Sequence, residues 1–358
     1  MGSYRVYVYA ICKNAEKFAD GWVASMGEAD GIFVLDTGSD DGTVERLAAH
    51  PEVTVRQETI TPWRFDIARN RSLAMVPEDA DLCVCTDLDE RFVPGWRQAA
   101  ERALADGAQL LRYRYTWSFT EDGREETVFY AAKMHARRGF TWRHPVHEVL
   151  VWAGEGAPLS SVARGVQLNH YPDKNKPRVG YLPLLELAVK ENPADDRDAH
   201  YLGREYLFYG RYDEAIAELK RHLSLPAARW EPERCASMRF LARCYEAKGE
   251  PEEAERWLLR ACAEAPYLRE PWMALARYCY DRANWRGVIA AAERALAVAA
   301  PGEYVSEAAD YGALPYDLLS LAYHHTGDQK NALSNVDKAL TYEPENERLR
   351  RNRAFFTR

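Results

Sequence analysis

The 358-residue chain has no run approaching 18 consecutive apolar residues, no basic-then-apolar leader in its opening stretch and no concentrated block of Lys or Arg. The first two absences argue against a membrane-spanning helix and a secretory signal, which makes the cytoplasm the expected location. The third, with 47 Lys plus Arg against 55 Asp plus Glu and a net charge of −8, argues against a protein whose main business is gripping nucleic acid. Cysteine is sparse, odd in number and never in CxxC clusters: Cys12, Cys83, Cys85, Cys235, Cys244, Cys262 and Cys279. No zinc ribbon or disulfide framework is implied, and these read as reduced, packed thiols, with Cys83 and Cys85 on one face of a strand. A glycine-rich loop with a lysine is also missing from Tyr9 to Asn14, which counts against a nucleotidyltransferase.

What is present is ordinary globular composition, 47% hydrophobic and 28% charged, at a length that suits two domains. From Tyr4 to about Tyr171, β-rich runs alternate with amphipathic stretches. Strands are expected at Tyr4 to Ile11, Gly31 to Asp36, Val53 to Gln57, Asp81 to Thr86, Gln109 to Phe119, Thr127 to His135 and Val166 to His170. Helices are expected at Glu16 to Met26, Asp41 to Ala49, Phe65 to Met75 and Gly95 to Ala105. That alternation predicts an α/β unit over residues 1–176 with a mainly parallel sheet, whose ligands gather at the carboxyl ends of the strands.

From residue 177 to 358 the β signal fades and helices follow one another. Leu241, Ala242, Tyr245, Gly249, Ala254, Leu258, Ala261 and Pro266 form a unit. Its offsets recur upstream at Leu202, Gly203, Tyr206, Gly210, Ala215 and Leu219, and downstream at Trp272, Leu275, Ala276, Ala283 and Ala295. They recur again at Tyr316, Leu319, Tyr323, Gly327, Ala332, Val336, Ala339 and Pro344. This pattern resembles the tetratricopeptide repeat, in about four copies over 198–346. Small residues let the helices of each hairpin approach, and stacking buries an apolar face that one hairpin alone would expose. Such a stack serves either as a scaffold that supports homo-oligomers or as a concave surface for a peptide or protein acceptor.

The strongest chemical signal is Thr86-Asp87-Leu88-Asp89-Glu90, directly after an apolar run. Strand alternation places Asp87 and Asp89 on the same side, where two carboxylates suit a hard divalent cation. Ile32 to Thr43 reads as a buried strand ending at Asp36, followed by a turn in which Gly38 and Gly42 can take positive φ and Ser39 or Asp40 can cap the next helix. His144-Pro145-Val146-His147-Glu148 is unusually polar for a sheet edge.

Tyr9 to Glu16, Leu35 to Thr43, Asp66-Ile67-Ala68-Arg69-Asn70 and Asp87-Leu88-Asp89 follow the order seen in family 2 glycosyltransferases. With the repeats, the chain is similar to sublancin-type peptide S-glycosyltransferases. The resemblance implies a GT-A, Rossmann-like fold, followed by the all-α repeat domain. It also implies inverting hexosyl transfer from a nucleotide-diphospho-sugar, a UDP-sugar first among them, with Mg²⁺ or Mn²⁺. On that likeness Ala10, Ile11, Lys13 and Asp36 face the nucleoside base, Arg69 lies close to the nucleotide, and Asp87 contacts ribose or sugar. Asp89 reaches the metal and His170 completes its shell. Thr37 stands where the family commonly has a second Asp, which bears on base recognition. Lys174, Lys176 and Arg178 are candidates to neutralise the diphosphate.

Inverting transfer needs a base for the acceptor proton, and Glu148 or His147 can serve. The favoured acceptor is a peptide side chain, then a cell-surface saccharide, then a hydroxymethylated DNA base. A different class stays open: a non-catalytic repeat adaptor with a silent α/β domain.

Overall fold

The computed structural model describes residues 4–173, 180–298 and 306–357, and the chain divides into two compact units, Met1–Ala188 and Val189–Arg358. The expected division after residue 176 lies outside the described residues, as do Lys174, Lys176 and Arg178. No helix among the described residues is long and apolar enough to cross a membrane.

The first unit begins β1 (Val6–Cys12), α1 (Glu16–Met26), β2 (Gly31–Asp36), α2 (Thr43–Ala48), β3 (Val53–Gln57), α3 (Phe65–Leu73) and β4 (Leu82–Cys85). It continues with β5 (Glu90–Phe92), α4 (Trp96–Leu104), β6 (Leu110–Phe119), β7 (Glu125–His135), β8 (Phe140–Arg143), β9 (Val149–Trp152) and β10 (Ser160–His170). Helix α5 (Tyr181–Glu191) spans the division.

The main sheet runs β3-β2-β1-β4-β7-β6-β10-β5, while β8 and β9 pair separately. The first four strands are parallel, as the helical connections between them require. Beyond β4 the sheet is mixed: β7 is antiparallel to both β4 and β6, and β5 is antiparallel to β10. The expectation of a mainly parallel sheet is corrected here, because the short turn of residues 120–124 can close only an antiparallel hairpin. Strands β5, β8 and β9, three or four residues each, were not expected as strands.

Both faces of β1 are covered. Val6, Val8 and Ala10 pack with Trp22 of α1 and Trp96 of α4, while Tyr9 packs on the other face with Leu73, Cys83, Cys85 and Trp142. Two-sided burial explains why β1 and β4 read as nearly unbroken apolar runs. All seven cysteines are buried thiols outside any disulfide, and Cys83 and Cys85 do share a face.

The second unit is helical: α6 (Asp196–Phe208), α7 (Tyr212–Ser224), α8 (Glu231–Ala247), α9 (Pro251–Glu264), α10 (Arg269–Asp281), α11 (Trp285–Leu296), α12 (Leu314–His325), α13 (Gln329–Tyr342) and α14 (Glu347–Phe356). Gly203 lets α6 meet α7, since a Cβ there would come within 2.6 Å of Leu219 Cγ. The hairpin turns use left-handed glycines at Gly210, Gly249 and Gly327. In the third hairpin Ala283 takes that place at φ 53°, a conformation that costs an L-residue about 1–2 kcal/mol.

Candidate functional site

In the order β3-β2-β1-β4 the chain builds outward from β1 in two directions, so β1 and β4 flank the switch point where open α/β sheets bind ligands. The segments leaving these two strands are Lys13-Asn14 and Thr86 to Asp89. The second segment starts against β1 itself, with Thr86 N donating to Tyr9 O at 3.2 Å.

Asp36, at the end of β2, is fully buried. Its Oδ1 accepts from the backbone N–H groups of Gly38 and Ser39, both at 3.1 Å, and its Oδ2 accepts from the Ser39 hydroxyl. This carboxylate closes its own turn. Gly38 has the expected positive φ, 109°, but Gly42 does not. Gly42 serves for close approach instead, because a Cβ there would lie 2.7 Å from Glu16 Oε1. The expected cap from Ser39 or Asp40 is not formed: Gly42 is the N-cap and offers no side chain, Asp41 Oδ1 just before it accepts from Thr43 N at 3.0 Å, and Ser39 is engaged by Asp36 and by Asn14 N. Ala10 and Ile11 are buried in β1, and Lys13 is exposed just beyond it.

Arg69 of α3 organises the next layer. Only 4% exposed, it donates from Nε to Glu148 Oε1, from Nη1 to Cys85 Sγ (3.2 Å) and from Nη2 to Asp87 Oδ1 (2.8 Å). Glu148 is far away in sequence but is delivered by α3. Asn70 accepts from Trp142 N and donates to Trp142 O, both at 2.8 Å, and Phe65 N donates to Pro145 O at 2.9 Å. The intervening turn carries His144 at φ 79° and His147 at φ 52°, two left-handed non-glycine residues of the kind that gather at functional sites. The His147 ring lies 5.9 Å from that of Tyr181.

Lys133 of β7, unassigned from sequence, completes the cluster. Its Nζ lies 3.2 Å from Glu90 Oε1 and 3.4 Å from Asp87 Oδ2. The signal for it was present, since it is the one charge in Val128 to His135. Burial works against the charged form of Asp87, but Arg69 and Lys133 outweigh it and hold that carboxyl well below its ordinary range. Glu90 goes the other way, raised by burial and by the nearby charge of Asp87 despite Lys133. Its Oε1 also accepts from the Tyr115 hydroxyl at 2.7 Å.

The expectation that Asp87 and Asp89 share a side is corrected. Strand β4 stops at Cys85, and Glu90 N donates back to Asp87 O at 3.0 Å, so a turn rather than a strand sets their directions. Asp87 faces Arg69 and Lys133. Asp89 faces His170, with Oδ2 3.4 Å from Nε2. The short strand β5 makes this meeting, because it registers Glu90 against His170, and Tyr171 N donates to Asp89 O at 2.7 Å.

His170 Nδ1 donates to the Trp117 carbonyl at 3.0 Å, leaving Nε2 directed at Asp89. A backbone carbonyl on one ring nitrogen is the usual arrangement behind a metal-ligating imidazole. Burial opposes the imidazolium, yet the hydrogen bond and charge of Asp89 prevail and raise the His170 pKa. One carboxylate oxygen and one imidazole nitrogen suit Mn²⁺, with its remaining ligands from water or phosphate oxygens, better than the harder, oxygen-preferring Mg²⁺.

Residues 209–278 and, separately, 315–346 match tetratricopeptide repeat families. The C-terminal part carries tetratricopeptide repeats. Solved structures similar to this chain include MamA, at 19% identity over 47% of this chain and 89% of that one, with a TM-score of 0.38. A thermophilic repeat protein of Thermus thermophilus is 22% identical over 49% of this chain and 88% of that one, with a TM-score of 0.35. PilW, a type IV pilus biogenesis factor, is 16% identical over 47% and 71%, with a TM-score of 0.39.

Proposed function

We propose that the N-terminal unit is a metal-dependent inverting glycosyltransferase, taking a sugar from a UDP-sugar to a peptide side chain held by the repeats. The observation that carries this reading is the Asp89–His170 pair beyond β4, with His170 Nδ1 anchored on a backbone carbonyl. A divalent cation bound there would supply charge stabilisation to a departing diphosphate. Arg69 and Lys133 hold Asp87 ionised and oriented, and Asp36 keeps the turn after β2 closed. Glu148 holds Arg69 in place, and Glu148 and His147, side by side on the strained turn, both remain candidate bases for the acceptor proton.

The second reading is a non-catalytic repeat adaptor. The tetratricopeptide matches favour it more directly than the first, and Asp36, Asp87 and Glu148 all have partners within the protein. The full chain incubated with UDP-glucose and Mn²⁺ should release UDP above background, and Asp89→Asn should abolish that release with an unchanged melting curve. No release from any of UDP-, GDP- or dTDP-sugars would leave the adaptor as the function.

A further inference from the structure

Three consecutive helices of the repeat unit bring Asp196, His222 and Glu233 together. Asp196 lies in the first turn of α6, His222 in the last turn of α7 and Glu233 in the first turn of α8. One ligand atom from each lies within 4.8 Å of the other two. Acidic first turns and a basic last turn are ordinary complements to helix dipoles, which accounts for the residue types. Dipoles do not require the three side chains to converge, nor that two of them be buried.

His222 is fully buried and its Nε2 makes no hydrogen bond, standing 3.7 Å from Glu233 Oε1. Its other nitrogen is fixed: Nδ1 lies 2.9 Å from Ser237 Oγ, which lies 2.7 Å from His200 Nδ1. A serine has one hydroxyl hydrogen, so it donates to one imidazole and accepts from the other. The relay has two settings. With Ser237 donating to His222 Nδ1, the Nε2–H faces the carboxylates yet stands 3.7 Å from Glu233 Oε1 and makes no hydrogen bond; with His222 Nδ1–H donating to Ser237, the Nε2 lone pair faces them, the setting that a cation bridging the three groups selects.

We propose that Asp196, His222 and Glu233 form a divalent metal site, best suited to Zn²⁺, that clips α6, α7 and α8 together at one end of the repeat stack. Tetrahedral zinc holds its donors about 3.4 Å apart, close to the His222–Glu233 spacing, so modest side-chain rotation completes the set. Ser237 holds the imidazole from behind, as outer partners of zinc ligands do. Asp196 is only partly buried, leaving an entry path and a fourth position for water.

The test uses the full-length Asp89→Asn protein, which removes the candidate site of the other unit from the count. Zinc bound after dialysis should be one equivalent per chain, Co²⁺ should give visible d–d absorption, and Zn²⁺ should raise the melting temperature. Adding Asp196→Asn, at a partly exposed position where misfolding is not expected, should weaken zinc binding at least tenfold and remove the thermal shift. Adding Glu233→Gln should do the same. Absence of Co²⁺ absorption, or equal zinc binding after Asp196→Asn, would overturn the proposal.

Discussion

In the N-terminal unit the charged groups of the candidate site converge at one end of a sheet, whereas in the helical unit small apolar residues recur along the chain and buried charges such as Glu233, Glu270 and Asp310 are spread over successive helical segments. Arg69 and Lys133 meet Asp87, Glu90 and Glu148 in one cluster. In the repeats, Ala242, Ala254, Ala261, Ala276, Ala292 and Ala295 fill near-equivalent positions with little or no exposure. A repeated apolar interface is tolerant because each hairpin depends mainly on its neighbours. A converged polar cluster is not, since removing one member leaves the remaining charges unbalanced.

The largest expected effect tests this difference directly. Arg69→Ala leaves Asp87 and Glu148 without their shared guanidinium and should destabilise the N-terminal unit by about 3–5 kcal/mol. Amide hydrogen exchange should show faster opening of β1 and β4 with α8 and α9 unchanged. A loss below about 1 kcal/mol would mean the cluster is organised by Lys133 alone.

The second separates the units by pH. His135 Nδ1 donates to the Ala136 carbonyl at 2.8 Å, so Nε2 accepts from the Tyr9 hydroxyl at 2.7 Å, which accepts from Trp142 Nε1 at 2.8 Å. Burial pushes the His135 pKa down from 6.5 to about 4. Between those values the unfolded chain binds a proton that the folded chain refuses, so this contribution is complete above pH 6.5 and lost as pH falls to 4. The loss amounts to about 3 kcal/mol. Exchange in β1 measured from about pH 7 to about pH 4 should show it, and His135→Gln should flatten that slope; an unchanged slope would rule His135 out as its source.

The smallest effects belong to single hairpins. Gly203→Ala forces a Cβ against Leu219 and should cost about 1–3 kcal/mol, confined to α6 and α7. Ala283→Gly should gain about 0.5–1 kcal/mol by relieving the left-handed turn between α10 and α11. Both are checked by urea unfolding with helix-resolved exchange, and an effect of either spreading into the β-sheet would contradict the separation of the two units.

Much of the fold was legible because its signals are local. Strands β1, β2 and β4 have nearly continuous apolar runs, and Leu202, Leu241, Leu275 and Leu319 mark successive hairpins by recurrence alone. Strands β5, β8 and β9 were not legible, because so short a segment becomes a strand only through a distant partner, as Glu90 does through His170. The candidate site divides in the same way. Asp36, Arg69, Asp87, Asp89, Glu148 and His170 stood out by residue type and motif, but their pairings did not. Lys133 carries only the signal of a lone charge in an otherwise uncharged stretch, with no motif to give it a role.

The sequence by itself determined that an α/β half precedes a repeat half, because hydrophobic periodicity and recurrence are properties of neighbours along the chain. It also determined which acidic, basic and imidazole groups were available. Only the tertiary structure decided that Asp87 belongs to Arg69 and Lys133 while Asp89 belongs to His170, and that Asp196, His222 and Glu233 come together. The physical reason is that charge pairing and metal ligation depend on distances of a few ångströms, set where strands and helices remote in sequence are packed together.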